Sequence, residues 1–361
     1  MWRVKFAYDI TYGDSRRLLR WRSERLAYGT LAVLLLAAPF VLPVFYVGEL
    51  TFMCIFALAS LGLMVLTGYT GQVSLGHAAF VAIGAYAEGA LLARGLPFPL
   101  TLAAAALLAG AAGVVIGMPA IRVSGLYLAM VTLAFSVLVE HAAGHWTSVT
   151  GGFTGLAVND PKLFGLNFAT PTAFYFLCLA LTAATLLGLI HLMRAQAGRA
   201  FVGVRDSEAA AHGLGIHVAR TKVFAFALSA AITGLAGALL AHQTKYLTPE
   251  GFGLILSMQL VLAVVIGGLG SLRGAILGAI LVALLPSFIS HLKPFLPDRI
   301  AKQFGLETFM FGAVLVGFVL FEPLGLNGRW LKVRAFFETF PLYRRDTFRR
   351  TKSYLRSERY R

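Results

Sequence analysis

Acidic charge is scarce in this sequence. Only 16 of 361 residues are Asp or Glu, and all charged residues together make up 13%, against 58% hydrophobic. Water-soluble domains carry about 25% charged residues, so a soluble globular chain is excluded. Cysteine is scarcer still. Cys54 and Cys178 both sit in apolar runs, where they read as small core hydrophobes with no disulfide, metal or redox role. The chain also lacks the G-x-x-x-x-G-K-[ST] phosphate loop, the H-E-x-x-H metal spacing, a nucleophile elbow and a paired-carboxylate cluster. It therefore offers no ATP site and no enzyme site of its own. No polar insertion is large enough for a soluble domain.

What is present is apolar sequence in blocks. Ten runs stand out, at 26–47, 50–67, 74–93, 100–117, 125–143, 171–192, 223–242, 254–266, 272–290 and 308–324. A membrane-spanning helix needs about 20 such residues. The expected fold is all-α, a polytopic transmembrane helical bundle of about eight to ten spans. The third and fourth runs are rich in alanine and glycine and suit re-entrant segments as well. The eighth is short for a full crossing. Residues 1–25 are basic and too long for a signal-peptide start, so the first run is read as a retained span.

The net charge is +15, from 31 Lys and Arg. In a soluble protein this would suggest nucleic acid, but the positions argue otherwise. Residues 1–25 hold seven, 194–222 five and 329–361 eleven. With the N-terminus inside and ten crossings, inside segments collect 25 and outside segments six, namely Arg94, Lys162, Lys245, Lys293, Arg299 and Lys302. That asymmetry places both termini in the cytoplasm and the basic tails against anionic lipid. Removing one hairpin from the first half preserves it, so charge fixes orientation rather than span number. The C-terminal tail, with Tyr343, Phe348, Tyr354 and Tyr360 among its charges, reads either as an amphipathic surface segment or as irregular chain. Three segments follow: a basic N-terminal stretch 1–25, a transmembrane domain 26–328 and a basic tail 329–361.

Glycine is abundant, at 38 residues. Most of it suits close helix packing in a bilayer, as at Gly110 and Gly113, Gly234 and Gly237, Gly274 and Gly278. Two clusters read differently. Gly68, Gly71 and Gly76 precede one small-residue helix, and Gly267, Gly268 and Gly270 precede another. Irregular backbone at membrane depth survives only where protein buries it or water meets it. Paired breaks in two halves point to a central site, and they hint at an internal repeat. Ser74 and His77 share a helix face. With Gln72 they are read as lining a path, the alternative being a hydrogen bond between helices. Glu88 and Glu140, toward the outer ends of spans, are read as structural or as contacts for a partner at the outer face, and Glu322 as a boundary residue. The outer loop 144–170 carries Trp146, Phe153 and Phe164 as interface anchors, with Gly151-Gly152 and Asn159-Asp160-Pro161 as turns. From these residues alone, an ion-coupled secondary transporter and a passive channel stand beside an ATP-driven one.

The segment 198–216 is polar and basic. Asp206 or Ser207 can cap a helix of one to two turns, with Glu208 in its first turn, Ala209 to Ala211 within it and Gly213 or Gly215 at its end. So short a helix is unstable alone, so it is expected to dock onto something.

Glu208-Ala209-Ala210 followed by Gly215-Ile216 resembles the EAA loop of ABC importer permeases, with the glycine one place later than in the commonest pattern. Other segments resemble the branched-chain, or hydrophobic, amino acid branch of that superfamily. They are Gly71-Gln72-Val73-Ser74-Leu75-Gly76-His77-Ala78-Ala79-Phe80, Gly125-Leu126-Tyr127 with Thr132-Leu133-Ala134, Thr150-Gly151-Gly152 with Gly155-Leu156, Gly267-Gly268-Leu269-Gly270-Ser271, and Phe321-Glu322-Pro323 with Gly325-Leu326. The resemblance covers about residues 50–328 and the longer of the family's two permease types.

The resemblance implies a bacterial inner-membrane permease for branched-chain amino acids or for urea, amides or aromatic acids. It implies two cytoplasmic ATPases, a second homologous permease and a periplasmic binding protein as partners. This chain would bind no cofactor; ATP and magnesium would belong to the ATPases. Arg205, Asp206, Ser207, Glu208, Ala209, Ala210 and Gly215 would couple to the ATPase. Gly71, Gln72, Ser74, Gly76, His77, Gly267, Gly268 and Gly270 would border the translocation path.

Overall fold

All ten apolar runs form helices. A computed structural model describes residues 22–163, 166–167, 170–292, 305–321 and 325–339. In chain order the α-helices of more than four residues are α1 Arg22–Val41, α2 Val44–Leu63, α3 His77–Ala93, α4 Phe98–Gly117, α5 Leu126–His145, α6 Pro171–Arg194, α7 Gln196–Asp206, α8 Glu208–Gly213, α9 Val218–Thr244, α10 Leu254–Gly267, α11 Leu272–Leu292, α12 Leu306–Phe321 and α13 Gly325–Thr339. Among the described residues, seven helical segments are long and apolar enough to cross a membrane; Arg25–Val41 and His77–Ala93 are shorter apolar helices. The only strands among the described residues are two-residue pairs. Leu156–Ala157 pairs antiparallel with Tyr246–Leu247, and Lys162–Leu163 with Leu166–Asn167. The fold is an all-α polytopic bundle.

Several boundaries differ from those expected. The first run, read to residue 47, ends at Val41, and α2 starts at Val44 rather than residue 50. Pro43 stands between them as the N-cap of α2, in extended backbone; it has no N–H to continue a helix and fixes its own φ. The third run begins at His77, not residue 74, because the chain from Gly71 to Gly76 is non-helical. The last run is helical as far as it is described, from Leu306 to Phe321, and Glu322, Pro323 and Phe164 lie outside the described residues.

Residues 32–327 form one compact unit that holds the whole candidate site, while the chain ends contribute helical residues 22–31 and 328–339 to a second unit. At the centre of the first unit is α9, which packs on α4, α3 and α2. Glycine makes the packing close. A Cβ on Gly84 would sit 2.0 Å from the carbonyl oxygen of Gly234, and one on Gly237 would sit 2.0 Å from that of Val81. On the other flank a Cβ on Gly113 would lie 2.5 Å from that of Ala230. Lipid tails give no hydrophobic incentive for helices to associate, so contact area and close approach hold the bundle. The α10–α11 hairpin repeats the device, with Gly267 against Gly274 and Gly278 against Ala263.

A buried carboxylate marks the other end of α3. Glu88 Oε1 accepts from Thr101 Oγ1 at 2.8 Å and lies 3.1 Å from His242 Nε2. All three are buried. Phe98 and Phe174 flank the imidazole edge-on. Pairing is what makes a carboxylate tolerable at such a place. The loop beyond is pinned by the short strand pair and by Lys245 Nζ, 3.4 Å from Asp160. Trp146 and Phe153 remain mostly exposed there.

Candidate functional site: two glycine breaks and a short polar helix

The first break begins where α2 loosens. Met64–Tyr69 continues it as a π-helical turn. The chain then runs non-helically from Gly71, at φ 69°, to Gly76. Backbone groups freed in a bundle need partners, and side chains supply most of them. Thr70 Oγ1 donates to Leu66 O at 2.5 Å, and Gln72 N reaches the same carbonyl at 3.2 Å. Leu75 N donates to Thr132 Oγ1 at 3.0 Å, and Ala78 N to Ser257 Oγ at 3.0 Å. Helices α5 and α10 thus cap the start of α3, whose first N–H groups have no partner within the helix.

Ser74 and His77 are fully buried and form a relay. Ser74 Oγ lies 2.8 Å from His77 Nδ1, and His77 Nε2 lies 2.8 Å from Ser229 Oγ on α9. Ser229 Oγ donates to Gly62 O on α2 at 2.6 Å. The relay ties α2, α3 and α9 together directly behind the break. Gln72 is also buried, whereas Gly71 is exposed. Gly76 packs on α5: a Cβ there would lie 2.0 Å from Thr132 O.

The second break follows α10. Gly268, at φ 103°, caps the helix, Gly270 is at φ 80°, and α11 begins at Leu272. Gly267 and Gly268 are buried, and Gly270 is half-buried. The two breaks meet. A Cβ on Gly68 would lie 2.8 Å from Gly270 N, and Gly270 N points to Met64 Sδ at 3.3 Å.

Beside them lies the polar segment. One short helix is expected there; two are found, α7 and α8. In α7, Phe201 and Val204 are buried three residues apart, and the Phe201 ring packs tilted against Phe224 of α9, centroids 5.9 Å apart. Ser207, not Asp206, caps α8: its Oγ accepts from Ala210 N at 3.2 Å. Asp206 pairs with Arg205 at 3.0 Å. Arg205 turns inward, donating from Nη1 to Gly68 O at 3.1 Å.

The Glu208 carboxylate lies 2.7 Å from Lys222 Nζ on α9. Ala211 is buried, while Ala209, Ala210 and Gly215 are exposed. Gly215 takes φ 80°, and Leu214 just before it is 82% exposed. The structure therefore docks α8 onto α7 and α9 and leaves one apolar face open.

Several of these contributors carry no motif. Ser229, with Thr233 one turn on, and Ser257 are isolated hydroxyls inside apolar runs, and that is their signal. Lys222 is legible only as loop charge. Leu214 stands out as a lone leucine between two glycines. An open concavity of about 600 Å³ lies beside the first turns of α5, between Arg122 and Ala134; none of the glycine-break residues lines it.

Similarity to known proteins agrees with this arrangement. Residues 45–320 match the family described as branched-chain amino acid transport system, permease component. The chain is 32% identical over 329 residues to the high-affinity branched-chain amino acid transport system permease protein LivM of Escherichia coli (strain K12), covering 84% of this chain and 75% of that one. It is 24% identical over 226 residues to the probable branched-chain amino acid transport permease protein LivH of Methanocaldococcus jannaschii, covering 59% and 67%. It is 27% identical over 265 residues to the autoinducer 2 import system permease protein LsrC of Enterobacter sp. (strain 638), covering 72% of each. No solved structure matches. The chain belongs to the branched-chain amino acid permease family of ABC importers, as a transmembrane transport subunit and not an enzyme.

Proposed function

We propose that this chain is one of two homologous permeases in a binding-protein-dependent importer of branched-chain amino acids. Two cytoplasmic ATPases would drive it and a periplasmic binding protein would deliver the solute. The observation that carries the reading is α8. It is held from within by Glu208 and Lys222, yet it presents Ala209, Ala210 and Leu214 outward as a small apolar face. Such a face fits a cleft on an ATPase, with Gly215 giving the turn that projects Leu214. In this reading α7 and α8 lie on the cytoplasmic side with both termini, where positive charge concentrates. ATP and magnesium belong to the ATPases.

Gly71, Gln72, Gly267, Gly268 and Gly270 border the solute path, as adjustable backbone at the meeting of two breaks. Ser74, Gly76 and His77 hold the first break against its neighbours. LivM supports a branched-chain amino acid as the solute, and the likeness to LsrC makes autoinducer 2 the second reading.

Uptake by the assembled transporter with its binding protein, in right-side-out vesicles with or without ATP trapped inside, tests this. Leucine, isoleucine or valine should accumulate only with ATP on the cytoplasmic side. Uptake that survives ATP depletion but collapses with the proton or sodium gradient would show a secondary transporter instead. Accumulation of autoinducer 2 without leucine would select the second reading.

A further inference from the structure

Arg205 is the residue that joins the polar segment to both glycine breaks. It lies in the last turn of α7, two positions before the cap of α8. Its Nη1 donates to Gly68 O at 3.1 Å, while Nε and Nη2 each lie 3.0 Å from Asp206 Oδ1. Its stem covers Gly71: a Cβ on that glycine would lie 3.0 Å from Arg205 Cγ. Its head reaches the second break, where a Cβ on Gly270 would lie 3.1 Å from Nη1. One side chain, 36% exposed, therefore touches Gly68, Gly71 and Gly270.

The chemistry suits the place. Gly68 O belongs to the final turn of a helix, where carbonyls lack partners along the chain and a cation complements the helix dipole. A guanidinium can hold that carbonyl and a carboxylate at once, because its donors are fixed in a planar fork. Small residues at all three positions keep the space open for it. A shift of α7 and α8 cannot leave either break in place while these contacts persist.

We propose that Arg205 is a positioning residue that transmits movement of α8 to the two glycine breaks, so that the paired ends of α2 and α10 move with it. This rests on the reading of α8 as the ATPase-docking helix. Arg205 itself would not contact the ATPase.

The test uses the assembled transporter with its ATPases, in a background with Cys54→Ala and Cys178→Ala. Val73→Cys, a partly exposed position within the first break, reports by its maleimide labelling rate with and without ATP. With Arg205 intact, nucleotide should change the rate by about fivefold or more, the lower range of coupling between sites. Arg205→Met keeps the stem over Gly71 and loses only the guanidinium. It should abolish that change while the ATPases stay bound and hydrolyse ATP, and Arg205→Lys should restore part of it.

A nucleotide-dependent rate that persists in Arg205→Met overturns the proposal. So does a parent protein whose rate ignores nucleotide, since the break then does not move. Loss of the ATPases from Arg205→Met would make Arg205 an ATPase contact and also overturn it. Absence of ATPases from the parent complex would instead strike the function proposed above. Should Arg205→Met fail to accumulate, Asp206→Asn, which frees the guanidinium from its orienting carboxylate, is read by the same labelling and should weaken the change.

Discussion

Replacing Gly84 with leucine should remove most of the folded protein from the membrane. Even the first carbon of the new side chain would lie 2.0 Å from Gly234 O and 2.6 Å from the Cα of Gly234. Both obstacles are backbone of α9, which cannot swing aside as a side chain can. The substitution forces α3 away from the helix at the centre of the bundle. Overpacking commonly costs about 1–3 kcal/mol, and a backbone clash belongs at or beyond the upper end. Gly188→Leu is the control. Nothing lies within 4 Å of a Cβ there, and leucine is the better helix former by about 0.8 kcal/mol. Size-exclusion profiles of detergent-extracted fluorescent fusions should show roughly a tenfold loss of the monodisperse peak for Gly84→Leu and no loss for Gly188→Leu. Equal peaks would mean that α3 and α9 do not pack as described.

The second large effect concerns Glu208 and Lys222, and it should be asymmetric. The lysine side chain is 5% exposed and the glutamate 49%. Removing the carboxylate leaves an ammonium buried, with Ala120 O at 3.4 Å as its remaining acceptor among the described residues. Removing the ammonium leaves a carboxylate that water already reaches. Breaking a fully buried pair costs about 3–5 kcal/mol; discounted for the exposed partner, Glu208→Gln should cost about 1–3 kcal/mol. Lys222→Met should cost about 1 kcal/mol or less, and the double variant should recover most of the loss. Thermal unfolding of the purified chain reads stability, and ATP-dependent uptake reads function. A larger loss from Lys222→Met than from Glu208→Gln would contradict the burial of the Lys222 ammonium.

The same pair shows what could be seen in the sequence and what could not. Glu208 was legible as part of a short capped helix, because Ser207, the alanines and Gly215 are local signals. Its partner was not, since Lys222 counts from outside only as one more basic residue before a span. The ten apolar runs were legible because a membrane helix announces itself by length. Their ends were less so, since apolar composition continues across Pro43 while the helix does not.

Helix α7 was missed because Gly198 and Gly203 mask the spacing of Phe201 and Val204. The breaks were legible as clusters of glycine. That Gly68 meets Gly270, and that His77 reaches Ser229 at 2.8 Å, depends on how the helices associate. No local pattern encodes contacts between residues so far apart in the chain.

A photo-crosslinking residue at position 214, in place of Leu214 and in native membranes, reports what covers the open face of α8. A covalent adduct between this chain and an ABC ATPase, identified by mass spectrometry, is the expected result. The same probe at Tyr246, in the loop at the other end of α9, should give none. No ATPase adduct from position 214, or an equal yield from position 246, would contradict it.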